Sequence, residues 1–268
     1  LAQDRVEIVK NPFSADILLS GYNIDLPDNA GILQQVAQKN PQARTVIISE
    51  EPLWDSIWSG GFTERDRQVQ LGDLTVDYHF LNHSNSDIFA FDQIPYFLLT
   101  NEDFQARYGM LIARHCDLSP HALCDHWLQA PVPAAFFAEV RDKAAYAKSF
   151  PEQQVYGLSI YRPEVARQVQ LPGTLRVGQG WQTQARRQAL PDWHLDKLTT
   201  LDMQVRVTAA YENTHQHAYV SEKIFDAFVT GGIPAYYADD QHRVLDLVPN
   251  DCIINTFGQE ASAAAARI

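Results

Sequence analysis

Residues 207–238 have the sequence VTAAYENTHQHAYVSEKIFDAFVTGGIPAYYA, whose pattern is the clearest guide to the fold class. A β-rich run leads into a polar loop, and a helix is predicted over residues 221–230. Ser221 is the expected N-cap of this helix and Gly231 its stop. A second β-rich run follows at residues 233–237. The order strand, helix, strand is typical of a parallel sheet.

The same alternation extends to both sides of this stretch. Runs predicted as strands lie at residues 6–9, 16–20, 45–48, 74–80, 155–160, 205–211, 233–237 and 252–255, with helices at 32–39 and over most of 119–148, and loops at 58–62 and 82–86. Alternating elements predict parallel sheets covered by helices, an α/β fold. Such folds bind ligands beyond the carboxyl ends of their strands. A domain boundary near residues 150–151 would give two α/β halves with a ligand site in the cleft between them.

Composition excludes several classes of function. The 268 residues suit one large or two small domains, and 46% hydrophobic and 20% charged residues are ordinary for a globular protein. Acidic residues exceed Lys plus Arg by 33 to 21, for a formal charge of −12. A nucleic acid or an anionic membrane is therefore not the expected partner, because both require a basic surface. A local basic pocket for a small phosphate ligand is compatible with this charge.

The expected location is the cytoplasm. The sequence has no apolar run of about 18 residues and no signal peptide at Leu1. Three cysteines, Cys116, Cys124 and Cys252, are too few for a disulfide framework and suit a reducing compartment. The chain ends in an Ala-rich helical stretch at residues 261–266, so we expect further sequence beyond both ends.

The polar loop and the first turn of the helix after it form a candidate anion site. A helix N-terminus offers backbone N–H groups and the positive end of the dipole. Lys223 in that first turn has the wrong sign for the dipole, which indicates either a bound anion or a solvated surface lysine. The polar side chains collected there are Glu212, Asn213, Thr214, Tyr219, Ser221, Glu222 and Lys223.

Three motifs in this stretch resemble a known signature. Tyr-Glu-Asn-Thr at 211–214, Tyr-Val-Ser-Glu-Lys-Ile at 219–224 and Ile-Pro-Ala-Tyr-Tyr at 233–237 are similar to the donor-binding signature of the α1,3-fucosyltransferases, glycosyltransferase family 10, bacterial type. The resemblance implies a GT-B fold, with two Rossmann-like domains facing across a cleft. Residues 1–150 would be the acceptor-side domain and residues 151–268 the GDP-sugar domain. Ala238 departs from the usual glycine of the family.

The resemblance also assigns roles to the motif residues. Asn213, Tyr219, Ser221, Glu222 and Lys223 are expected to bind the donor. Glu222 would hydrogen-bond the ribose, Tyr219 would line the nucleoside pocket, and Lys223 would hold the diphosphate. Two family-typical residues are replaced mildly, by Tyr211 for Phe and Ser221 for Thr.

The expected catalytic base is a carboxylate in the N-terminal half. Residues 45–52 are TVIISEEP, so an acidic pair follows a buried strand. By resemblance Glu50 is the general base, with Glu51 as the alternate. The alternative interpretation is a solvated turn. Two adjacent buried carboxylates would raise the pKa of one of them.

An arginine near the start of the C-terminal half completes the expected donor site. The family carries one on the first helix of the donor domain, and Arg167 is the better match, with Arg162 as the fallback. A guanidinium could bind the diphosphate bidentately, or either arginine could be a surface residue. The glycines of Gly178-Gln179-Gly180 match a loop that the family places near the donor.

The implied function is transfer of L-fucose from GDP-β-L-fucose to an acceptor oligosaccharide or glycolipid, in lipopolysaccharide or other glycan biosynthesis. No metal site and no cofactor are expected, although a divalent cation could help GDP leave. Membrane contact would come only through segments outside this chain, with a peripheral place at the inner membrane face. The alternatives are a GT-B enzyme for another nucleotide sugar in surface-polysaccharide synthesis, and a non-catalytic nucleotide-sugar-binding module.

Three other groups of residues have competing interpretations. The His/Cys group spans residues 115–126 but matches no usual zinc spacing, so a structural helix is favoured over a metal site. Loop histidines can contact a ligand or be solvated, and aromatic residues can stack on sugars or fill a core. The His/Cys group consists of His115, Cys116, His121, Cys124 and His126. The loop histidines are His215 and His217, and the aromatic residues are Trp54, Trp58 and Phe62.

Overall fold

A computed structural model describes residues 6–49, 51–52, 61, 63–87, 102–181 and 185–268. The chain divides into two compact units, Leu1–Ile88 and Phe89–Ile268. This division differs from the boundary predicted near residues 150–151. The reason is the strand Val132–Phe137, which pairs with Val205–Ala209 and so belongs to the C-terminal sheet.

Strands and helices alternate along most of the described chain, as expected for an α/β fold. The strands are β1 Ile17–Ser20, β2 Arg44–Ile48, β3 Asp66–Leu71, β4 Leu74–Leu81, β5 Val132–Phe137, β6 Ser149–Phe150, β7 Val155–Gly157, β8 Leu175–Val177, β9 Val205–Ala209, β10 Thr214–His215, β11 Ile233–Tyr236 and β12 Ile254–Asn255. The helices are α1 Asp25–Asp28, α2 Ala30–Lys39, α3 Glu102–Cys116, α4 Pro120–Gln129, α5 Tyr161–Gln168, α6 Trp193–Leu201, α7 Glu222–Val229, α8 Val244–Leu247 and α9 Ala261–Arg267.

The N-terminal unit is built on a four-stranded sheet of order β1-β2-β4-β3. β1, β2 and β4 are parallel, whereas β3 and β4 form an antiparallel hairpin. Gly72 turns this hairpin with a φ of +64°, a conformation that glycine adopts without strain. Leu33 of α2 packs with Ile47 and Phe80 in the core beneath one face.

The C-terminal unit is built on a five-stranded parallel sheet of order β12-β11-β9-β5-β8. Successive strand residues point to opposite faces. Ala134 of β5 packs with Val165 of α5, whereas Ala135 packs with Leu201 of α6. Helices therefore cover both faces, which explains why the strand runs of this half are nearly continuous in hydrophobicity. A separate three-stranded sheet has the order β10-β7-β6.

Most predicted elements of the C-terminal half are confirmed, including the helix at residues 221–230, observed as Glu222–Val229 with Gly231 after it at a φ of +78°. Two predictions are wrong. Residues 6–9 form no strand. The helix over most of residues 119–148 ends at Gln129, and β5 follows. Pro131 and Pro133 mark this change, because proline disfavours the helix interior but is tolerated at the start of a strand.

Two further observations bear on the expected location. The three cysteines, which all lie in the described part of the chain, are free thiols on the surface. In the same described ranges, no helix combines the length and the apolar character needed to span a membrane.

Candidate functional site

A small pocket lies at the carboxyl ends of β5 and β9, where α/β sheets bind ligands. Three helices each bring one cation to its wall: Arg162 from α5, Lys197 from α6 and Lys223 from the first turn of α7. Its volume is about 10 Å³, room for about one water molecule. A larger anion would therefore require the cationic side chains to turn aside. The described residues that line it are Phe136, Phe137, Ala138, Arg162, Lys197, Ala209, Tyr211 and Lys223.

Arg162, the fallback arginine, lies in this pocket, and Arg167, the preferred one, does not. Arg162 is buried, and its Nη1 donates a 3.3 Å hydrogen bond to the Tyr211 carbonyl. Arg167 is exposed, pairs with Asp142 at 2.9 Å and lies over the Trp181 ring. Arg162 and Arg167 are five positions apart on α5, which corresponds to a rotation of about 500°. Their side chains therefore point about 140° apart around the helix axis. A single helix face therefore cannot present both arginines to the pocket.

Lys223 lies among acidic and hydroxyl groups. Its Nζ donates to Ser221 Oγ at 2.8 Å and lies 3.2 Å from Glu212 Oε2 and 3.4 Å from Glu222 Oε1. These short contacts explain why a lysine is tolerated at a helix N-terminus, where the dipole disfavours it.

Glu212 organises the loop before α7. Its Oε1 accepts the Ser221 backbone N–H at 2.8 Å and the Tyr236 hydroxyl at 3.2 Å, and its Oε2 accepts the Ser221 hydroxyl at 2.6 Å. Burial, followed by the nearby Glu212 charge, raises the pKa of Tyr236 well above its ordinary value. Ser221 occupies the N-cap position as predicted, but its hydroxyl serves Glu212 and makes no side-chain cap bond.

The resemblance implies that Asn213, Tyr219 and Glu222 all bind the donor, but none of the three lines the pocket. The Asn213 carbonyl accepts the Leu158 N–H at 2.9 Å. Tyr219 is fully buried and does not line the pocket. Glu222 is 4% exposed, and its Oε2 has no hydrogen-bond partner among the described residues. A buried carboxylate oxygen in this position is an acceptor available to a donor group of a ligand.

A buried carboxylate that the sequence did not single out lies behind the pocket. Asp226 is fully buried, and its Oδ2 lies 2.7 Å from Lys197 Nζ. Its Oδ1 accepts the Tyr108 hydroxyl at 2.7 Å and lies 2.8 Å from His194 Nε2. Burial by itself raises the pKa of Asp226, but the charges and hydrogen bonds of Lys197 and His194 outweigh it, so the pKa is lowered. Burial beside this carboxylate strongly raises the pKa of Tyr108.

The positive groups of the site line the pocket, and the negative groups lie behind them. The cations Arg162, Lys197 and Lys223 line the pocket, and none of the carboxylates Glu212, Glu222 and Asp226 does. The three positive and the three negative formal charges cancel. A small anion in the pocket would nevertheless meet guanidinium and ammonium groups first, which is the arrangement that favours anion binding.

No family model matches the chain. No curated protein matches it either.

Two glycines allow the loop after β8 to pack closely beside the pocket. Gly178 and Gly180 have φ values of +135° and +91°. A Cβ atom on Gly178 would lie 2.6 Å from the Ala138 carbonyl oxygen, and one on Gly180 would lie 2.7 Å from Val140 Cβ. The glycines therefore let this loop pack against the segment after β5, which includes the pocket residue Ala138.

Of the two expected catalytic acids, the structure describes only Glu51. Glu50 lies outside the described residues, as do Trp54, Trp58 and Phe62. Glu51 is described and is 9% exposed.

The His/Cys group lies on two helices. His115 and Cys116 end α3, and His121, Cys124 and His126 are on α4, whose helical character is confirmed. Burial, then the nearby Arg114 charge, lowers the pKa of His115. Among the described residues, no three His, Cys, Asp or Glu side chains are grouped to hold a metal ion.

The two loop histidines differ. His215 is buried in an aromatic cluster with Tyr237 at 5.7 Å and Phe257 at 5.2 Å between ring centroids, whereas His217 is exposed. The cluster lies at the carboxyl ends of β11 and β12.

A larger cavity of about 970 Å³ lies in the N-terminal unit, lined by residues of β2, β3 and β4. Two pairs of polar side chains in its wall contact each other: His79 lies 2.7 Å from Asp66, and Gln68 donates to Asp77 at 2.6 Å. Size alone does not make it the better candidate, because the smaller pocket holds the convergent cations.

Proposed function

We propose that the chain is an inverting GT-B glycosyltransferase of the α1,3-fucosyltransferase type, which transfers L-fucose from GDP-β-L-fucose to a hydroxyl of an acceptor glycan. The observation that carries the proposal is that the charged residues lining the pocket at the ends of β5 and β9, within the part of the chain that the structure describes, are all cations. A nucleoside diphosphate is an anion that such a wall would bind. The motifs at residues 211–214, 219–224 and 233–237 supply the identity of the donor.

In this proposal the diphosphate is bound by Arg162 and Lys223. Arg162 replaces Arg167 in the role, since only Arg162 lines the pocket. As the bond between the sugar and the diphosphate breaks, charge grows on the departing GDP, and positioned cations stabilise that charge. Lys223 would exchange part of its contact with Glu212 and Glu222 for the phosphate oxygens.

The ribose would be bound by Glu222. Its unpartnered Oε2 supports this assignment, because a buried acceptor without a hydrogen bond costs about 1–3 kcal/mol. A ribose hydroxyl would supply the missing donor. Asn213, Tyr219 and Ser221 would shape the loop around the nucleoside, with Tyr219 acting from beneath the surface.

The catalytic base in the proposed reaction is Glu50. It accepts the proton of the acceptor hydroxyl, while that oxygen forms a bond to the anomeric carbon. The bond from the anomeric carbon to the β-phosphate oxygen breaks, and its electron pair leaves with GDP. Attack on the face opposite to GDP inverts the β-linked donor to an α-linked product.

The partners in this proposal are GDP-fucose and an oligosaccharide or glycolipid acceptor. No cofactor takes part, and a divalent cation would act only on the departure of GDP. Free surface thiols support a cytoplasmic location.

Calorimetry with GDP, UDP and CMP tests the donor. We expect GDP to bind most tightly and GDP-fucose to be consumed when acceptor glycans are supplied. Tighter binding of UDP or CMP would indicate a different nucleotide sugar. Binding of GDP-fucose without transfer or hydrolysis would favour a non-catalytic module.

The base is tested with Glu50→Gln and Glu51→Gln as a matched pair. Loss of a general base lowers turnover by about 10²–10⁴-fold, and we expect this loss in Glu50→Gln alone, with GDP affinity unchanged. The same loss in Glu51→Gln alone would transfer the role to Glu51. Full turnover in both variants would contradict a carboxylate base at this position.

A further inference from the structure

Lys197 lines the same pocket, yet neither the resemblance nor the sequence pattern assigns it a function. We propose that Lys197 is a third cationic contact of the donor diphosphate, and that Asp226 holds its ammonium group at the pocket wall. This inference rests on the proposed function.

The burial of Lys197 is the first argument. The side chain is 6% exposed, and its Nζ lies 2.7 Å from Asp226 Oδ2. Lysine is almost never buried unless it is paired. A buried ion pair gives little net stability, because the desolvation cost offsets the attraction. Stability alone therefore does not account for a lysine here, whereas its place in the pocket wall does.

The anchoring of Asp226 is the second argument. Its other oxygen is bound by Tyr108 of α3 and His194 of α6, while Asp226 itself lies on α7. The His194 ring is stacked on Phe104, with centroids 3.8 Å apart and planes at 12°. Residues of two other helices thus hold the carboxylate through Oδ1, in addition to the Lys197 contact at Oδ2.

The donor capacity of the ammonium group is the third argument. Lysine carries three N–H donors, so Nζ can keep its bond to Asp226 and donate to a phosphate oxygen at the same time. Its flexible stem allows the small shift that a diphosphate would require in a pocket of about 10 Å³. Lys197 would thereby join Arg162 and Lys223 around one anion.

The inference is tested by calorimetry with GDP and guanosine. Lys197→Met removes the ammonium group but leaves the buried Asp226 carboxylate without its cationic partner at Oδ2, which can prevent folding. The double variant Lys197→Met/Asp226→Asn removes both charges and keeps the net charge of the wild-type protein. Exposed Lys143→Met is the matched control.

We expect the folded double variant to bind GDP at least tenfold more weakly, as for loss of a charged hydrogen bond, with guanosine affinity unchanged. Lys143→Met should bind both ligands like the wild type. GDP affinity within twofold of the wild type in the double variant would overturn the inference. An equal loss for GDP and guanosine would also overturn it, because that result would mean a purely structural role.

The wild-type protein separates this inference from the proposed function. If it binds UDP and not GDP, the donor assignment fails and the Lys197 comparison is made with UDP and uridine, which test the same diphosphate contact. If it binds neither nucleoside diphosphate, both proposals fail.

Discussion

Both carboxylate oxygens of Glu212 bind Ser221: Oε1 accepts its backbone N–H at 2.8 Å, and Oε2 accepts its hydroxyl at 2.6 Å. The polar loop after β9 is thereby tied to the start of α7. Tyr236 on β11 donates to the same carboxylate at 3.2 Å. The position of Lys223, two residues beyond Ser221, depends on this connection.

We expect Glu212→Gln to destabilise the protein. One Glu212 oxygen becomes an N–H₂ group, which cannot accept a hydrogen bond. At the Oε1 position it would face the Ser221 N–H and the Tyr236 hydroxyl, and at the Oε2 position it would face the Lys223 ammonium group, so at least one polar contact is lost in either orientation. The expected cost is about 1–3 kcal/mol of unfolding free energy, measured by urea denaturation. The exposed residue Glu152 provides the control Glu152→Gln. Equal unfolding free energies for the two variants would contradict this role of Glu212.

The strand, loop, helix and strand at residues 207–238 were predictable because the signals are local. Ser221 and Gly231 mark the helix ends, and the apolar runs on either side are short and nearly continuous. β5 was not predictable in this way. Its residues lie within the stretch predicted as helical at 119–148, and only pairing with β8 and β9 makes them a strand.

Of the residues that line the pocket, the sequence singled out Lys223 and the fallback Arg162, whereas the preferred Arg167 lies outside it. The two arginines lie on different sides of α5, and the sequence alone does not show which side of the helix faces the carboxyl ends of the strands. Lys197, Asp226, His194 and Tyr108 were missed because they lie on three separate helices. The local signal was the presence of an acidic residue, Asp226, in a helix whose apolar residues Ile224 and Ala227 are buried.

Arg162 and Arg167 provide a matched pair for the anion site. We expect Arg162→Met to weaken GDP binding at least tenfold, since a charged hydrogen bond is worth about 1.5–3 kcal/mol. Arg167→Met should leave GDP affinity unchanged, because that side chain pairs with Asp142 at the surface. Calorimetry of both variants measures the difference. A greater loss in Arg167→Met would place the anion elsewhere.

Gly178→Ala should affect both stability and GDP binding. The new methyl group would lie 2.6 Å from the Ala138 carbonyl, and Ala138 lines the pocket. Gly173→Ala is the control, since Gly173 also has a positive φ, +86°, but its nearest atom would be 3.5 Å away. A left-handed alanine costs about 1–2 kcal/mol, so we expect both variants to be less stable in thermal unfolding. Only Gly178→Ala should also weaken GDP binding, and unchanged affinity would show that the loop does not position the pocket.

His215 should make the protein less stable in acid. Burial is the main cause that lowers its pKa, and it outweighs the opposing effect of Asp239. The ring contacts fit the neutral form: Nδ1 lies 3.0 Å from the Gln154 carbonyl and Nε2 accepts the Asp239 N–H at 3.2 Å. His242 is the neighbouring titratable ring, with centroids 5.0 Å apart.

The sign of the His215 effect follows from proton linkage. Between the lowered folded-state pKa and the unfolded-state pKa of about 6.5, the unfolded chain binds more protons than the folded one. The unfolding free energy therefore decreases as the pH is lowered through this range, by up to about 1.4 kcal/mol per pH unit for this group. The contribution is complete above about pH 6.5. Urea denaturation between pH 5 and 8 should show a shallower acid loss in His215→Gln than in the wild type. His121→Gln, at a side chain that is 89% exposed, should retain the wild-type profile. An identical pH dependence in all three proteins would mean that His215 titrates alike in the folded and unfolded chain.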